Sequence, residues 1–177
     1  MNYYNIKNQS GDGIGDFFGK LVDKTQKFPG ERHVPLWTPK GFKVANYAGP
    51  GTQIVKRLDS NDSNIRNPLN ETDKTAQAHD IRYTLAETPA DIRNADLLMI
   101  NKLKKIEKNK EDYAINIKAT KNAMKSKVAF EKLTGKKALF GGLDAKSKKE
   151  NALSVQDEKK LRKQLSSLEL QGFGLRQ

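Results

Sequence analysis

The stretch that decides the fold reads PLNETDKTAQAHDIRYTLAETPADIRNADLLM and occupies residues 68–99. Asn70 is a residue type that caps helix starts, and Asp73 three positions later completes a variant capping box. Thr88 followed by Pro89 marks a second helix start, because proline is favoured at the first helical position. The pattern therefore predicts an antiparallel helix pair that turns near Thr88.

This helix pair places one histidine opposite one aspartate. His79 lies nine residues before Thr88 and Asp96 eight residues after it, so both stand at nearly the same height on antiparallel axes. Axes about 8–10 Å apart bring such side chains into hydrogen-bond range. Asp96 then accepts a hydrogen bond from one imidazole nitrogen and leaves the other free to activate water. Tyr83, one turn beyond His79, either braces Asp96 through its hydroxyl or serves packing alone.

A glycine-rich segment, YAGPG at residues 47–51, precedes the helix pair. Calcium prefers oxygen ligands and mixes carboxylates with backbone carbonyls. Glycines permit the positive φ angles that such a loop requires. We expect Ca²⁺ to be held by the carbonyls of Tyr47, Gly49 and Gly51 together with the carboxylate of Asp80. The ion would polarise an ester carbonyl and stabilise the oxyanion.

The N-terminal part carries weaker patterns. Within residues 11–28, apolar side chains at helical spacing predict a short amphipathic segment, whose proposed membrane-binding residues are Ile14, Phe17, Phe18 and Leu21. This segment either lies in a membrane interface or docks on the body of the protein. Prolines and glycines in residues 29–46 predict an irregular lead-in, and the polar residues 52–67 predict a surface loop. Trp37 either packs in the core or sits at a lipid interface, and His33 is given no role.

The net charge of +12 is concentrated in the C-terminal part of the chain. From residue 101 onward there are 20 Lys and Arg against 9 Asp and Glu. This composition predicts a basic helical arm, with the second helix continuing towards Leu133 and a last helix ending near Leu170. Such an arm suits anionic partners, namely nucleic acid, acidic lipid or an acidic protein surface. The scarcity of arginine and aromatic residues argues against base-specific readout.

Other compositional features exclude several classes of protein. The chain contains no cysteine, which excludes disulfides and thiolate metal sites. It has no apolar run of about 18 residues that would span a membrane. Its N-terminus lacks the order of basic and then apolar residues that marks a signal peptide. We therefore expect neither a transmembrane helix nor a secretory signal.

The patterns divide the chain into three predicted parts. Residues 1–43 form an amphipathic segment and a Pro/Gly linker, residues 44–108 form the domain with the glycine loop, and residues 109–177 form the basic arm and tail. The predicted fold class is mainly α, with a calcium loop, an antiparallel helix pair and a long basic C-terminal helical extension.

Across roughly residues 45–105 the chain resembles the phospholipase A2-like domain at the N-terminus of parvovirus minor capsid proteins. The matching segments are YAGPG at 47–51, PLN at 68–70 with Asp73 and Ala76, HDIRY at 79–83, and Ala95-Asp96. The resemblance implies calcium at Tyr47, Gly49, Gly51 and Asp80, with His79 as the base and Asp96 as its partner. It further implies release of the sn-2 fatty acid from membrane phospholipid by a virion-associated protein during membrane penetration. The segment between the loop and His79 is longer than is usual in the parvovirus domains.

A narrower resemblance concerns proteolytic maturation. Two segments are similar to the sites that adenovirus-type proteases cut, LFGG at residues 139–142 and LQGFG at residues 170–174. They imply cleavage at Gly142 and Phe173 by a maturation protease. The predicted partners are then this protease, viral capsid proteins and the phospholipid membrane.

Two other functions stay open at this level. One is a catalytically inactive virion cement or core protein that binds capsid or genome through its basic arm. The other is a membrane-lytic carrier that acts through residues 11–28 without calcium.

Overall fold

The computed structural model of the chain describes Phe28, residues 30–134 and residues 153–173. In this part the fold is mainly α, as the sequence predicts, with six α-helices and one two-stranded antiparallel sheet. In chain order the elements are β1 (Pro35–Thr38), β2 (Gly41–Val44), α1 (Ile54–Asp59), α2 (Ser63–Arg66), α3 (Glu71–Leu85), α4 (Pro89–Asn109), α5 (Ala114–Thr134), α6 (Val155–Leu168) and a π-helical turn (Glu169–Phe173).

Two of the sequence predictions fall elsewhere. The amphipathic segment with Ile14, Phe17, Phe18 and Leu21, and the cleavage site at Gly142, lie outside the described residues. Both stay predictions. No helix within the described ranges is long and apolar enough to cross a membrane.

The starts of the two central helices are confirmed. The Asn70 side chain accepts a hydrogen bond from the Asp73 N–H at 2.9 Å and caps α3. Thr88 and Asp91 form a full capping box at the start of α4, with Pro89 in the first turn. The carboxylate of Asp73 does not complete the predicted box on α3, because it binds other backbone groups described below.

The predicted irregular lead-in contains a β-hairpin instead. Strands β1 and β2 pair so that Pro35 lies opposite Val44. Successive strand side chains alternate between faces, so Leu36 and Thr38 point inward while Trp37 points outward. Trp37 is 38% exposed and meets Phe42 edge-on, with ring centroids 4.5 Å apart. Core packing of Trp37 was therefore the wrong alternative, and the lipid-interface alternative stays untested.

The predicted surface loop at residues 52–67 contains the two short helices α1 and α2. Ile54 and Leu58, four residues apart, are buried on one side of α1, and Arg57 is buried with them. Asp62 caps α2 by accepting a hydrogen bond from the Asn64 N–H at 2.8 Å. The polar composition of this segment conceals the short helical spacing of its apolar residues.

The lysine-rich region does not continue the second helix. Helix α4 ends at Asn109, because Lys110 adopts a left-handed conformation at φ 55°. The following link is anchored by Asp112, whose carboxylate accepts hydrogen bonds from the Thr72 N–H at 2.9 Å and from the Asn116 side chain at 3.1 Å. Helix α5 then returns along α4, so the predicted continuous helix to Leu133 is wrong.

Helices of the basic region contribute to the same core as the helix pair. The core cluster contains Ile81 and Leu103 from α3 and α4, Ile117 from α5, and Leu161 and Leu168 from α6. Helix α6 packs on α3. These helices are thus anchored by leucine and isoleucine, and apart from the buried Lys127 their lysines lie at exposed or half-exposed positions.

Replacing Leu161 with alanine tests this anchoring. Leu161 is fully buried, and a Leu→Ala change in a core costs about 2–5 kcal/mol of unfolding free energy. We expect that loss in urea unfolding followed by circular dichroism. Val155→Ala at an exposed position of the same helix is the matched control. A loss in Leu161→Ala no larger than in the control would show that α6 is not part of the cooperative core.

Candidate active site

The glycine loop, residues 47–51, is paired with the chain segment before β1. Arg32 donates its N–H to the Pro50 carbonyl at 3.0 Å, and Val34 donates to the Ala48 carbonyl at 2.9 Å. These bonds hold the loop like an additional strand beside residues 32–34. The loop therefore has a fixed backbone path.

Glycine is required at two positions of this loop. Gly49 has φ 152° and Gly51 has φ 81°. A Cβ atom at Gly49 would lie 2.4 Å from the Arg32 carbonyl oxygen, and one at Gly51 would lie 2.6 Å from the Gly30 carbonyl oxygen. Any side chain at either position would displace backbone.

The carboxylate of Asp73 fixes the start of the loop. It accepts four backbone hydrogen bonds, from Asn46 at 3.0 Å, Tyr47 at 2.8 Å, Ala48 at 2.9 Å and Leu69 at 3.0 Å. Burial raises the pKa of Asp73, and the four N–H groups oppose that increase. The first turn of α3 is thereby tied to the loop.

A buried ion pair supports the loop from the other side. Arg57 of α1 forms a two-point pair with Glu31, with Nη2–Oε2 at 2.5 Å and Nε–Oε1 at 2.8 Å. Glu31 also accepts the Gln53 N–H at 2.9 Å. Both charged side chains are fully buried, and the pair satisfies the groups that burial removes from water.

His33, to which the sequence assigned no role, belongs to this support. Its Nδ1 lies 3.0 Å from the Ala45 carbonyl, and its Nε2 lies 3.1 Å from the Thr52 hydroxyl. Burial lowers the pKa of His33, and the neighbouring Arg57 guanidinium lowers it further. No local pattern identifies this residue, because its partners are 12 and 19 residues away.

Two of the predicted carbonyl ligands converge. The Thr52 hydroxyl oxygen lies 3.2 Å from the Tyr47 carbonyl and 3.2 Å from the Gly49 carbonyl. One hydroxyl has one proton, and His33 Nε2 lies 3.1 Å from the same oxygen, so the hydroxyl donates to one of these three groups at a time. At least one of the two carbonyl oxygens is thus left without this donor. The third predicted carbonyl, that of Gly51, follows in the same loop.

Helix α3 presents Asp80 to this loop. Asp73, Gln77 and Asp80 are spaced four and three residues apart and therefore share one face of the helix. Asp73 binds the loop amides, and Gln77 hydrogen-bonds to Tyr47. The Asp80 charge acts on Tyr47 as well as on His33. Burial is the main cause that raises the pKa of Tyr47 to about 12.

One oxygen of Asp80 is available for a cation. Its Oδ2 is buried and has no hydrogen-bond partner within the part of the chain that the structure describes. A buried carboxylate oxygen without a partner is costly unless something binds it. That oxygen and the loop carbonyls are hard donors of the kind that calcium prefers, so the residues present fit the ion. The described ranges contain no cluster of three or more His, Cys or acidic side chains for a metal. The site would thus hold its ion with one carboxylate plus carbonyls.

The predicted contact between His79 and Asp96 is present. His79 Nε2 lies 2.8 Å from Asp96 Oδ1. The other ring nitrogen is not free as predicted, because Nδ1 lies 3.1 Å from Asp80 Oδ1. The Asp96 side chain is fully buried, whereas those of His79 and Asp80 are 11% and 17% exposed. The dyad is therefore nearly enclosed, with a small exposed fraction on His79 and Asp80.

The dyad is electrostatically polarised. Burial would lower the pKa of His79, but hydrogen bonds to Asp80 and Asp96 raise it above the ordinary value. Burial would raise the pKa of Asp96, but hydrogen bonds from His79 and Lys127 hold it below its usual range. The positively charged imidazolium form of His79 is thus stabilised between two carboxylates. This is the form that a general base reaches after it accepts a proton.

The predicted brace on Asp96 comes from a different residue. Tyr83 makes no hydrogen bond to Asp96, and its ring packs beside the imidazole with centroids 5.3 Å apart. The second oxygen of Asp96 lies 2.5 Å from Nζ of Lys127 on α5. Of the two predicted roles of Tyr83, packing is therefore the one that the structure shows. Sequence analysis missed Lys127, because its place on the buried side of α5 is visible only when the start of α5 is known.

The second predicted cleavage site is buried in the fold. Phe173 packs between the ammonium groups of Lys74 and Lys102, which lie 5.0 and 4.2 Å from its ring centroid. Its carbonyl accepts a hydrogen bond from Arg82. Proteases cut exposed, mobile chain, so cleavage at Phe173 stays a prediction that requires this turn to open.

The two histidines predict a stability maximum near pH 6.5 in the absence of divalent ions. The raised pKa of folded His79 stabilises the protein below about 6.5, and this contribution is lost as the pH rises through the folded value. The lowered pKa of folded His33 has the opposite effect, so stability falls as the pH drops below about 6.5. Urea midpoints measured in EGTA across this range test the profile. His79→Gln should remove the alkaline decline only, and an unchanged profile in that variant would contradict the assignment.

Comparison with known protein families adds one match. The family model of the phospholipase A2-like domain matches residues 40–127, about half of the chain. The matched segment contains the glycine loop, α3 and α4, and it ends at Lys127. No curated protein and no solved structure shows significant similarity to the chain. This part of the chain is therefore similar to phospholipase A2-like domains, which supports a hydrolase at the level of the family.

Proposed function

We propose that this chain, through its phospholipase A2-like segment, hydrolyses the sn-2 ester of membrane phospholipids in the presence of calcium. One observation carries the proposal. The His79 imidazole lies between the buried carboxylate of Asp96 and Asp80, and Asp80 lies on the helix face that meets the glycine loop. A base and a set of oxygen donors are thus adjacent on one side of α3.

In the proposed reaction His79 acts as the base. Nδ1, which lies 3.1 Å from Asp80 Oδ1, takes a proton from water once that contact opens, and that water attacks the ester carbonyl. Nε2–H donates to Asp96, which fixes the ring and stabilises the imidazolium that forms. A calcium ion held by Asp80 and the carbonyls of Tyr47, Gly49 and Gly51 would supply positive charge for the oxyanion.

Calcium removal is the direct test. We expect fatty-acid release from phosphatidylcholine vesicles to stop in EGTA and to return with excess Ca²⁺. Asp80→Asn should lose about 10²–10³-fold in rate, the usual effect of removing an oxyanion stabiliser, and should bind Ca²⁺ more weakly in calorimetry. Glu87→Gln changes an exposed carboxylate and is the matched control. Full activity in EGTA would refute the calcium dependence.

We further propose that the protein is a virion-associated minor capsid or core component that aids membrane penetration. The resemblance to parvovirus domains and the basic charge of the C-terminal part support this setting. Its partners would be capsid proteins, the phospholipid membrane and a maturation protease. Mass spectrometry of purified particles tests both points. Particles without the chain would refute the setting, and an uncut chain would refute cleavage at Gly142 and Phe173.

The alternative of an inactive structural protein is favoured by the charge of +12 alone. Under this alternative, the protein binds nucleic acid or capsid in a salt-sensitive manner and hydrolyses no phospholipid. Vesicle hydrolysis by wild type but not by His79→Gln would exclude it. A purely lytic carrier would instead release vesicle contents in EGTA.

A further inference from the structure

The two oxygens of Asp96 are held by two different helices. Oδ1 accepts from His79 Nε2 on α3 at 2.8 Å, and Oδ2 lies 2.5 Å from Lys127 Nζ on α5. Since the Asp96 side chain is fully buried, protein groups take the place of water around both oxygens. The carboxylate is therefore fixed in rotation from both ends.

The ammonium of Lys127 is itself held in place. It lies 3.1 Å from Glu131 Oε1, one turn further along α5, and 5.2 Å from the ring centroid of Tyr83. The Lys127 side chain is 8% exposed. Buried ion pairs add little stability compared with apolar residues of similar volume. Packing alone thus gives no reason for a lysine at this position.

We propose that Lys127 is a positioning residue for the His79–Asp96 pair. Its ammonium clamps the Asp96 carboxylate so that Oδ1 points at Nε2 and the imidazole keeps a fixed orientation. The inference rests on the proposed hydrolase function, in which His79 is the base. Without the ammonium, Asp96 gains rotational freedom and the ring loses its fixed orientation.

The expected effect falls on turnover and not on substrate binding. The Lys127 side chain is 8% exposed, and its ammonium is bound to the carboxylates of Asp96 and Glu131. Removing a group that orients a functional side chain typically costs about 10- to 100-fold in activity. We expect that decrease in kcat, with KM unchanged.

The chain offers a clean chemical test, because it contains no cysteine. Lys127→Cys introduces a single thiol. This thiol is alkylated in urea, and the protein is then refolded. Bromoethylamine builds a thioether side chain that ends in an ammonium, whereas iodoacetamide builds a neutral one. Wild type passes through the same unfolding and refolding. We expect the ammonium-bearing protein to regain wild-type kcat and the neutral protein to stay about 10- to 100-fold lower.

Lys121 provides the matched control. It lies on the same helix and pairs with Glu107 of α4, away from the dyad. Lys121→Cys, treated with the same reagents, should keep wild-type kcat throughout. Equal recovery of the Lys127→Cys protein with the neutral reagent, or an equal loss in Lys121→Cys, would overturn the inference.

A readout without turnover separates this inference from the proposed function. The His79 Nε2 proton, hydrogen-bonded to a buried carboxylate, should give an NMR resonance downfield of the amide region. We expect it in wild type and Lys121→Met, and its loss in Lys127→Met, or in Lys127→Gln if the methionine variant does not fold. Loss of the resonance in Lys127→Met, together with a wild type that shows the resonance but hydrolyses nothing, would retain the positioning role and refute the hydrolase. Unchanged resonance and kcat in Lys127→Met would refute the positioning role and retain the hydrolase.

Discussion

His79→Gln should abolish measurable phospholipid hydrolysis while leaving the fold intact. Loss of a general base lowers kcat by about 10²–10⁴-fold. Glutamine keeps one donor nitrogen for one of the two carboxylates, and Asp96 retains Lys127 as a partner. The measurement is fatty-acid release from phosphatidylcholine vesicles at saturating calcium.

Arg93→Gln is the matched control for this experiment. Arg93 is exposed on α4, three residues before Asp96, and its replacement should leave the rate unchanged. Circular dichroism and thermal unfolding confirm that both variants are folded. Hydrolysis by His79→Gln at the wild-type rate would refute the assignment of the base and with it the proposed mechanism.

Asp73→Asn should unfold or severely destabilise the protein. The Asp73 side chain binds four backbone N–H groups with two oxygens, and asparagine turns one of those oxygens into a donor. Two buried N–H groups then face an NH₂ group. Each buried donor left without an acceptor costs about 1–3 kcal/mol, and we expect the loss from both in urea unfolding.

Asp62→Asn is the control that separates the loss of tertiary hydrogen bonds from the loss of a local helix cap. Asp62 also accepts a backbone N–H, that of Asn64, but it is exposed at the start of α2. Asparagine and aspartate are equally good helix caps, so this control should lose almost nothing. Equal stability of Asp73→Asn and wild type would show that the loop does not depend on the α3 carboxylate. A folded Asp73→Asn protein should still bind calcium more weakly.

The local rules of helix formation predicted the central helix pair and the meeting of His79 with Asp96. Capping preferences and rise per residue act over a few positions, so they can be read from a single chain. The same rules failed for Asp73. Its side chain follows tertiary N–H donors 25 to 27 positions earlier in the chain instead of the nearby helix terminus.

Composition also concealed parts of the site and its surroundings. Lys127 belongs to a lysine-rich stretch that is typical of a solvated helix face, and only the packing of α5 on α4 shows that it is buried. Arg57 and Glu31 are 26 residues apart and form their pair only when α1 folds beside the loop. Such groups are found from tertiary structure, because no periodicity links them.

Helix α3 carries the loop anchor Asp73, the proposed cation ligand Asp80 and the proposed base His79 within about two turns. A single stiff rod therefore sets the distances among the three. When other elements move relative to α3, the three groups move together with the helix, and their mutual alignment is preserved. Sequence changes in the sheet or in α6 should, for the same reason, leave the distances among these three groups unchanged.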